Sequence, residues 1–260
     1  LQTLFDMGIP VSGKNLFPSN ISGLPTWYIV RLSEKGYQAP GDRTHIQVLV
    51  NPATWEEDLA SLEPGTVVIW NMDSKMPMER EDVISYPVPM TKIARKLNPK
   101  LARMIANVVY VGVLAELLGM DQEVLEAAIS KQFGGKAKAI ELNAEAARLG
   151  RVYFAEELAK SDSYAVESRE VEEGGFFIEG NEAIALGSVF GGIQMLGWYP
   201  ITPSSSVAEG IISWLPKLRT HEGKATYAVI QAEDELAAAG MIIGAGWAGA
   251  RGLTATSGPG

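Results

Sequence analysis

The chain has 260 residues, 47% of them hydrophobic and 20% charged, with a formal net charge of −9 at pH 7. This is enough to bury the core of one or two domains, and it excludes a nucleic-acid binder, because no concentrated basic surface exists to release phosphate counterions. With no cysteine, the chain has no disulfide, no Cys nucleophile, no zinc thiolate site and no cysteine-ligated iron–sulfur cluster of its own, and its two histidines, His45 and His221, read as surface or strand-edge residues.

The first 160 residues alternate between strand and helix patterns. Pro25–Ser33 (PTWYIVRLS) and His45–Asn51 (HIQVLVN) are rich in aromatic and β-branched residues and read as strands. Asn51-Pro52 opens a helical pattern to Leu62, with Asn51 as N-cap and Pro52 at the first helical position. Gly65–Trp70 (GTVVIW) is a continuous apolar run, the pattern of a strand buried on both faces. Val83–Val88 is a further strand.

The basic residues from Lys92 to Arg103 are interspersed with Ile, Leu, Ala and Met, which reads as the solvated face of a helix. Three helices follow: Lys100–Leu118, stopped by Gly119; Asp121–Phe133, capped by Asp121; and Lys138–Leu158. The longest apolar run, Ile105–Met120, carries Asn107 and Glu116 and falls short of the ~20 residues that span a membrane. No signal-peptide pattern is present, so a cytoplasmic location and no membrane partner are expected.

The acidic stretch Ser161–Gly175, ending in Gly-Gly, reads as a linker between domains. A second α/β unit begins at Phe176. Its expected elements are a helix over Glu182–Leu196, an extended loop Trp198–Ser206, a helix Ser206–Leu218, a strand Thr226–Ala232, a helix Asp234–Ala250 and a strand Arg251–Ser257. Strand, helix, strand in succession is a βαβ unit, so the last two strands are expected to be parallel neighbours. The fold class is therefore α/β, with two tandem parallel-sheet domains. Leu1 and Gly260 both read as cut ends of a longer protein.

Two motifs mislead. Gly8–Asn15 (GIPVSGKN) nearly spells a P-loop, but Asn15 stands where Ser or Thr should ligate Mg²⁺, and Pro18 blocks the first turn of a following helix. Gly244–Gly249 (GAGWAG) spells G-x-G-x-x-G inside a helical stretch, whereas the dinucleotide fingerprint works only at a strand-to-helix turn. Ala237, Ala238, Gly240, Gly244 and Ala248 read instead as a small-residue face open to close backbone approach.

Two segments carry candidate chemistry. In Tyr199–Ser205 (YPITPSS), two prolines fix the backbone and present Thr202 between them, while Ser204 or Ser205 can cap the next helix. Gln231–Glu235 (QAEDE) lies at the carboxyl end of a parallel strand, where open α/β sheets bind ligands. Asp234 reads as the cap and Glu235 as a first-turn residue, which leaves Glu233 without a structural reason to be acidic.

YPITPSS, QAEDE and TATSGPG, in that order and after GNEAIALG (Gly180–Gly187), resemble the pyrimidine-binding α domain of 2-oxoacid:ferredoxin oxidoreductases. GKNLFPSNISGLPTWYIVR and VNPATWEEDL are similar to the γ domain of the same enzymes, which is Rossmann-like and fused ahead of α. The resemblance covers nearly the whole chain. It implies a γ domain over 1–160 lacking its first strand and glycine loop, a linker over 161–175, and the beginning of the α domain over 176–260.

By this resemblance Glu233 matches the glutamate that hydrogen-bonds the aminopyrimidine ring of thiamine diphosphate, where a carboxyl group favours the tautomer that takes the thiazolium proton. Such a carboxyl works best in a dry pocket that raises its pKa. Thr202 matches a threonine near the reacting carbon and would donate to the 2-oxoacid. Pro200 and Ile201 would line the pyrimidine pocket, and Ser204 would lie by the substrate.

No GDG motif with a later Asn is present, so Mg²⁺ and the diphosphate are expected on a separate β subunit, together with the iron–sulfur cluster through which ferredoxin is reduced. An arginine that the family places near the substrate carboxylate would lie beyond Gly260, so the chain alone is expected to be inactive. The implied reaction is coenzyme A-dependent oxidative decarboxylation of a 2-oxoacid, with 2-oxoglutarate ahead of pyruvate and branched-chain 2-oxoacids, in an assembly of two α and two β copies. A non-catalytic assembly subunit and a stand-alone nucleotide-binding protein are the rival readings.

Overall fold

The computed structural model describes residues 1–16, 24–170, 175–258 and 260. Pro18, residues 171–174 of the expected linker and Pro259 of TATSGPG lie outside the described residues. The chain divides into two units, one built on Leu1–Leu16 with Trp27–Gly175 and the other containing Phe176–Gly260.

The first unit opens with a short helix α1 (Gln2–Asp6) and an antiparallel hairpin of β1 (Val11–Leu16) and β2 (Trp27–Leu32), in which Ser12 faces Arg31 and Lys14 faces Ile29. Gly8–Asn15 thus runs into a strand and is no phosphate-binding loop ahead of a helix. Three parallel strands follow, β3 (Ile46–Leu49), β4 (Val67–Asn71) and β5 (Ile84–Val88), in the order 3-4-5. Between β3 and β4, the Asn51 side chain accepts from Ala53 N at the start of a 3₁₀ turn that leads into α2 (Trp55–Ser61).

β4 shows why its sequence is an unbroken apolar run. Val67 and Ile69 pack on one side with Met90, Ile93, Val109 and Val113, while Val68 packs on the other with Leu49, Trp55 and Leu62. All three β4 residues are fully buried, so each face of the strand needs an apolar side chain.

Four helices complete the unit: α3 (Met90–Leu97), α4 (Ala102–Leu118), α5 (Gln122–Phe133) and α6 (Ala137–Glu157). The expected single basic helix face over Lys92–Arg103 is corrected: it belongs to two helices, α3 and α4, bent by 116°. Asn98 makes the break, its side chain accepting from Lys100 N and Leu101 N. Gly119 ends α4 at φ 70°, and Asp121 caps α5 through Val124 N, both as the sequence indicates. α4 and α6 cross with backbones in close contact at Gly112 and Gly150. No single helix among the described residues is long and apolar enough to cross a membrane.

The segment read as a linker is laid down on this unit as far as its described residues go. The Asp162 side chain, 1% exposed, accepts from Lys160 Nζ at 2.6 Å, and its other oxygen accepts from Tyr86 OH at 2.8 Å. Val166 N donates to Leu118 O and Arg169 N to Met7 O, each at 2.8 Å. Asp162, one of the acids of this stretch, is thus matched by donors and is not solvated. Burial opposes its charge, but the hydrogen bonds from Lys160, Tyr86 and Tyr164 N outweigh it and hold the carboxyl below the usual aspartate range.

The second unit contains α7 (Gly180–Phe190), β6 (Met195–Trp198), α8 (Ser205–Leu218), a small antiparallel pair β7 (Thr220–His221) and β8 (Lys224–Ala225), β9 (Ala228–Gln231), α9 (Glu235–Trp247) and β10 (Gly252–Leu253). Two expectations are corrected here. The helix over Glu182–Leu196 stops at Phe190, since Gly191 closes it and Gly192 adopts φ 86°, and Met195–Trp198 is a strand. The sheet order is therefore 10-6-9: β9 and β10 are parallel but not neighbours, because β6 lies between them. Ala185, Val189, Leu196, Val207, Ile211 and Leu215 form the core of this unit. Glu182 Oε1 accepts from Trp214 Nε1 at 2.5 Å and ties α7 to α8.

Candidate active site

Since β6, β9 and β10 are parallel, the three segments singled out from the sequence leave the sheet at one edge. Tyr199–Ser204 follows β6, Ala232–Asp234 follows β9, and Thr254–Ser257 follows β10. This is the carboxyl end of an open α/β sheet, where such folds place their ligands.

Hydrogen bonds tie these segments to each other and to GNEA. Ser257 Oγ donates to the Thr202 carbonyl at 2.9 Å. Asn181 Nδ2 donates to the Pro203 carbonyl at 3.0 Å and to Ser206 Oγ at 2.7 Å. A Cβ built on Gly260 would lie 2.6 Å from Thr256 Oγ1 and 2.9 Å from Glu235 Cγ, so the last segment also packs on the start of α9. The four motifs are therefore one local assembly, although they span residues 180 to 260.

Each expected site residue has a definite setting. Thr202 is exposed, joined to Pro203 by a cis peptide, with its carbonyl held by Ser257. Its hydroxyl makes no hydrogen bond among the described residues. Pro200 is exposed and Ile201 is half-buried, the Ile201 carbonyl accepting from Ser205 N and from Ser204 Oγ. The expected capping role of Ser204 is corrected: it occupies the N-cap position, but its hydroxyl turns back to Ile201 and donates no cap bond to α8. Ser204 is 8% exposed, with its hydroxyl held by the Ile201 carbonyl.

Asp234 caps α9 through Ala237 N at 2.6 Å, and Glu235 lies in the first turn, as the sequence indicates. Ala232 is buried, and its N–H donates to Trp198 O at 2.7 Å, which carries the sheet one residue past β9. Glu233 comes next. It is exposed and forms no ion pair or hydrogen bond among the described residues. Its carboxylate is thus held on a short, anchored turn and committed to nothing in the fold. Asn181 and Ser257 were not singled out as single residues from the sequence; the motifs containing them were the only signal.

GAGWAG covers the end of α9, its C-cap Ala248 and Gly249 just past it, at no strand-to-helix turn. A Cβ on Gly240, Gly244, Gly246 or Gly249 would meet nothing within 4 Å, so at these glycines nothing among the described residues packs closely, whereas Ala238 is buried with Gly197 against its carbonyl. Among the described residues no group of three His, Asp or Glu could hold a metal ion.

A parallel α/β fold with donors and a free carboxylate at its strand ends is a ligand-binding class, and comparison with known proteins narrows it. The family described as pyruvate ferredoxin/flavodoxin oxidoreductase matches residues 1–153, and the one described as its thiamine diphosphate-binding domain matches residues 187–260. The alpha subunit of 2-oxoacid:ferredoxin oxidoreductase 2 from Aeropyrum pernix is 36% identical over 179 residues, 66% of this chain and 26% of that one. The 2-oxoglutarate oxidoreductase subunit KorA of Mycobacterium tuberculosis is 29% identical over 258 residues, 89% of this chain and 38% of that one. The solved structure of 2-oxoglutarate:ferredoxin oxidoreductase from Magnetococcus marinus, with 2-oxoglutarate, coenzyme A and succinyl-CoA bound, matches at a TM-score of 0.83 and 30% identity. That match covers 99% of this chain and 44% of the other.

The chain belongs to the family of 2-oxoacid:ferredoxin oxidoreductase alpha subunits. The chain spans less than half the length of the curated relatives it matches, 26% and 38% of the two named.

Proposed function

We propose that this chain supplies the pyrimidine side of a thiamine diphosphate site in an enzyme that oxidatively decarboxylates 2-oxoglutarate, passes the acyl group to coenzyme A and reduces ferredoxin. The observation that carries the reading is the carboxyl end of two neighbouring parallel strands: an uncommitted Glu233 just past β9, and a Thr202 loop just past β6 that Asn181 and Ser257 clamp. The relatives named for 2-oxoglutarate, and the substrate in the Magnetococcus marinus structure, favour that 2-oxoacid. Residues 1–160 would be the γ domain and 176–260 the beginning of the α domain.

The residues fit the cofactor on their own chemistry. Glu233 has both oxygens free for a ring nitrogen. When bound, thiamine diphosphate supplies the carbon nucleophile and the electron sink for decarboxylation. Glu233 would hold the proton shared with the aminopyrimidine, Pro200 and Ile201 would shape the pocket for the ring, and the Thr202 hydroxyl would donate to the 2-oxoacid. Packing of a β subunit over this edge would exclude water from the Glu233 carboxyl. That β subunit would also carry Mg²⁺, the diphosphate contacts and the iron–sulfur cluster, since the chain has no cysteine. The assembly would work in the cytoplasm.

Anaerobic reduction of a viologen dye by the full-length subunit with its β partner, with coenzyme A and a panel of 2-oxoacids, tests the proposal. Fastest turnover of 2-oxoglutarate is expected. Preference for pyruvate or a branched-chain 2-oxoacid corrects the substrate alone. A complex that binds cofactor and turns over no 2-oxoacid replaces the catalytic reading with that of an assembly subunit.

A further inference from the structure

Helix α7 starts without a cap of its own. Glu179 occupies the N-cap position with no side-chain bond, and Gly180 follows with nothing within 4 Å of where a Cβ would lie. A helix whose first turn is not pinned by its own sequence takes its place from tertiary contacts. Two adjacent side chains in that turn, Asn181 and Glu182, hold it, and both reach α8.

Ser206, Gly210 and Trp214 lie at i, i+4 and i+8 and form one stripe of α8. At one end of the stripe Asn181 Nδ2 donates to Ser206 Oγ at 2.7 Å, and at the other Trp214 Nε1 donates to Glu182 Oε1 at 2.5 Å. Between them a Cβ on Gly210 would lie 2.8 Å from Ala185 Cβ and from Glu182 Oε2, so the helices approach this closely only over a glycine. The two anchoring residues stand about 12 Å apart along α8, at ~1.5 Å per residue. One anchor fixes a point of α7 and leaves the helix free to swing about it, whereas two fix its direction. The Trp214 anchor is itself steady, because its ring packs on the core of Ala185, Val189, Leu196 and Ile211. Asn181 also donates to the Pro203 carbonyl, one residue from Thr202, so the direction of α7 is passed on to the Thr202 loop.

We infer that, for the role proposed for Thr202, Glu182 and Trp214 are positioning residues. They act through Asn181, which carries the setting of α7 to the loop that presents the Thr202 hydroxyl. Lys217 Nζ lies 4.5 Å from the Trp214 ring centroid and takes no part in the indole N–H bond.

Glu182→Ala and Trp214→Phe each remove the bond, Glu182→Gln keeps an acceptor, and Lys217→Gln changes a neighbour of the ring with the bond left in place. In the full-length subunit assembled with its β partner, amide hydrogen exchange of residues 199–206 and steady-state dye reduction would be measured side by side. Loss of the bond is expected to speed exchange of the loop roughly five- to tenfold, the factor that one hydrogen bond sets. It is expected to lower kcat about tenfold with KM for the 2-oxoacid within about twofold of wild type, as misplacement of a group used in the transition state requires. Lys217→Gln is expected to behave like wild type, and Glu182→Gln to recover about half of the wild-type kcat or more. Wild-type exchange in both Glu182→Ala and Trp214→Phe, an unchanged kcat beside faster exchange, or a Glu182→Gln no better than Glu182→Ala overturns the inference. If the assembled wild type turns over no 2-oxoacid, the proposed function fails by itself, and the loop exchange of the two variants still decides whether the bond holds the loop.

Discussion

Gly112→Ala and Gly240→Ala make the same chemical change in the middle of two helices, and the structure gives them opposite signs. In isolation, Ala is the better helix former by ~0.8–1 kcal/mol. At Gly240 a Cβ meets nothing within 4 Å, so that gain should appear. At Gly112 the added carbon would lie 2.7 Å from the carbonyl carbon and 2.9 Å from Cα of Ala147, and closer still to the carbonyl oxygen, where ordinary contact begins at 3.4 Å. These are backbone atoms of α6 and cannot rotate away. The two helices must part by roughly 1 Å, enough to forfeit a quarter to a half of each contact along the seam. Val109, Val113, Ala146 and Phe154 of that seam are all buried. Overpacking costs ~1–3 kcal/mol, and a backbone obstacle puts Gly112→Ala near the top of that range, so after the propensity gain the net loss is ~2 kcal/mol. For a chain of this size that is roughly 4–8 °C in Tm. Calorimetric melting of the two variants beside wild type checks both signs. If Gly112→Ala melts at or above wild type, the close crossing of α4 and α6 is not as described.

Two further outcomes follow from named contacts. Asp162 has a lowered pKa when folded, so its contribution to stability is complete above the ordinary aspartate pKa of ~3.9 and is lost as pH falls through the lower folded value. Asp162→Asn should cost roughly 1–3 kcal/mol at pH 7, with the gap to wild type closing below about pH 4; a gap independent of pH in urea titrations contradicts this. Asn181→Ala should leave cofactor binding in the assembled enzyme nearly unchanged yet lower kcat by about tenfold or more, because the loop bearing Thr202 loses its clamp and small misplacements are expensive. Equal kcat in steady-state dye reduction removes the positioning role of Asn181.

Much of the fold is written in local pattern. Gly65–Trp70 announces a doubly buried strand, and Gly119 and Asp121 mark the helix boundaries on either side of Met120. What escaped was set by distant partners. Met195–Trp198 has four residues and no alternation, and it is a strand because β9 and β10 pair with its two edges, so the neighbour relation of those strands was misread. Ser161–Arg169 is the first part of the segment read as a linker, yet Tyr86, Leu118 and Met7, all far along the chain, supply its bonds. The site divides the same way. Glu233 could be isolated by eliminating Asp234 as cap and Glu235 as first-turn residue. Asn181 and Ser257 could not, because their bonds to the Thr202 loop span 22 and 55 residues.

The role of Glu233 is the central claim, and the rate of exchange of the cofactor's thiazolium C2 proton measures it without dependence on the substrate. In the assembled enzyme with thiamine diphosphate, rapid quench and NMR would compare wild type with Glu233→Gln. A general acid–base contribution of this kind is worth ~10²–10⁴-fold, and a fall in that range with cofactor still bound is the expected result. Exchange at the wild-type rate in Glu233→Gln would show that this carboxylate, however well placed at the sheet edge, does not serve the cofactor.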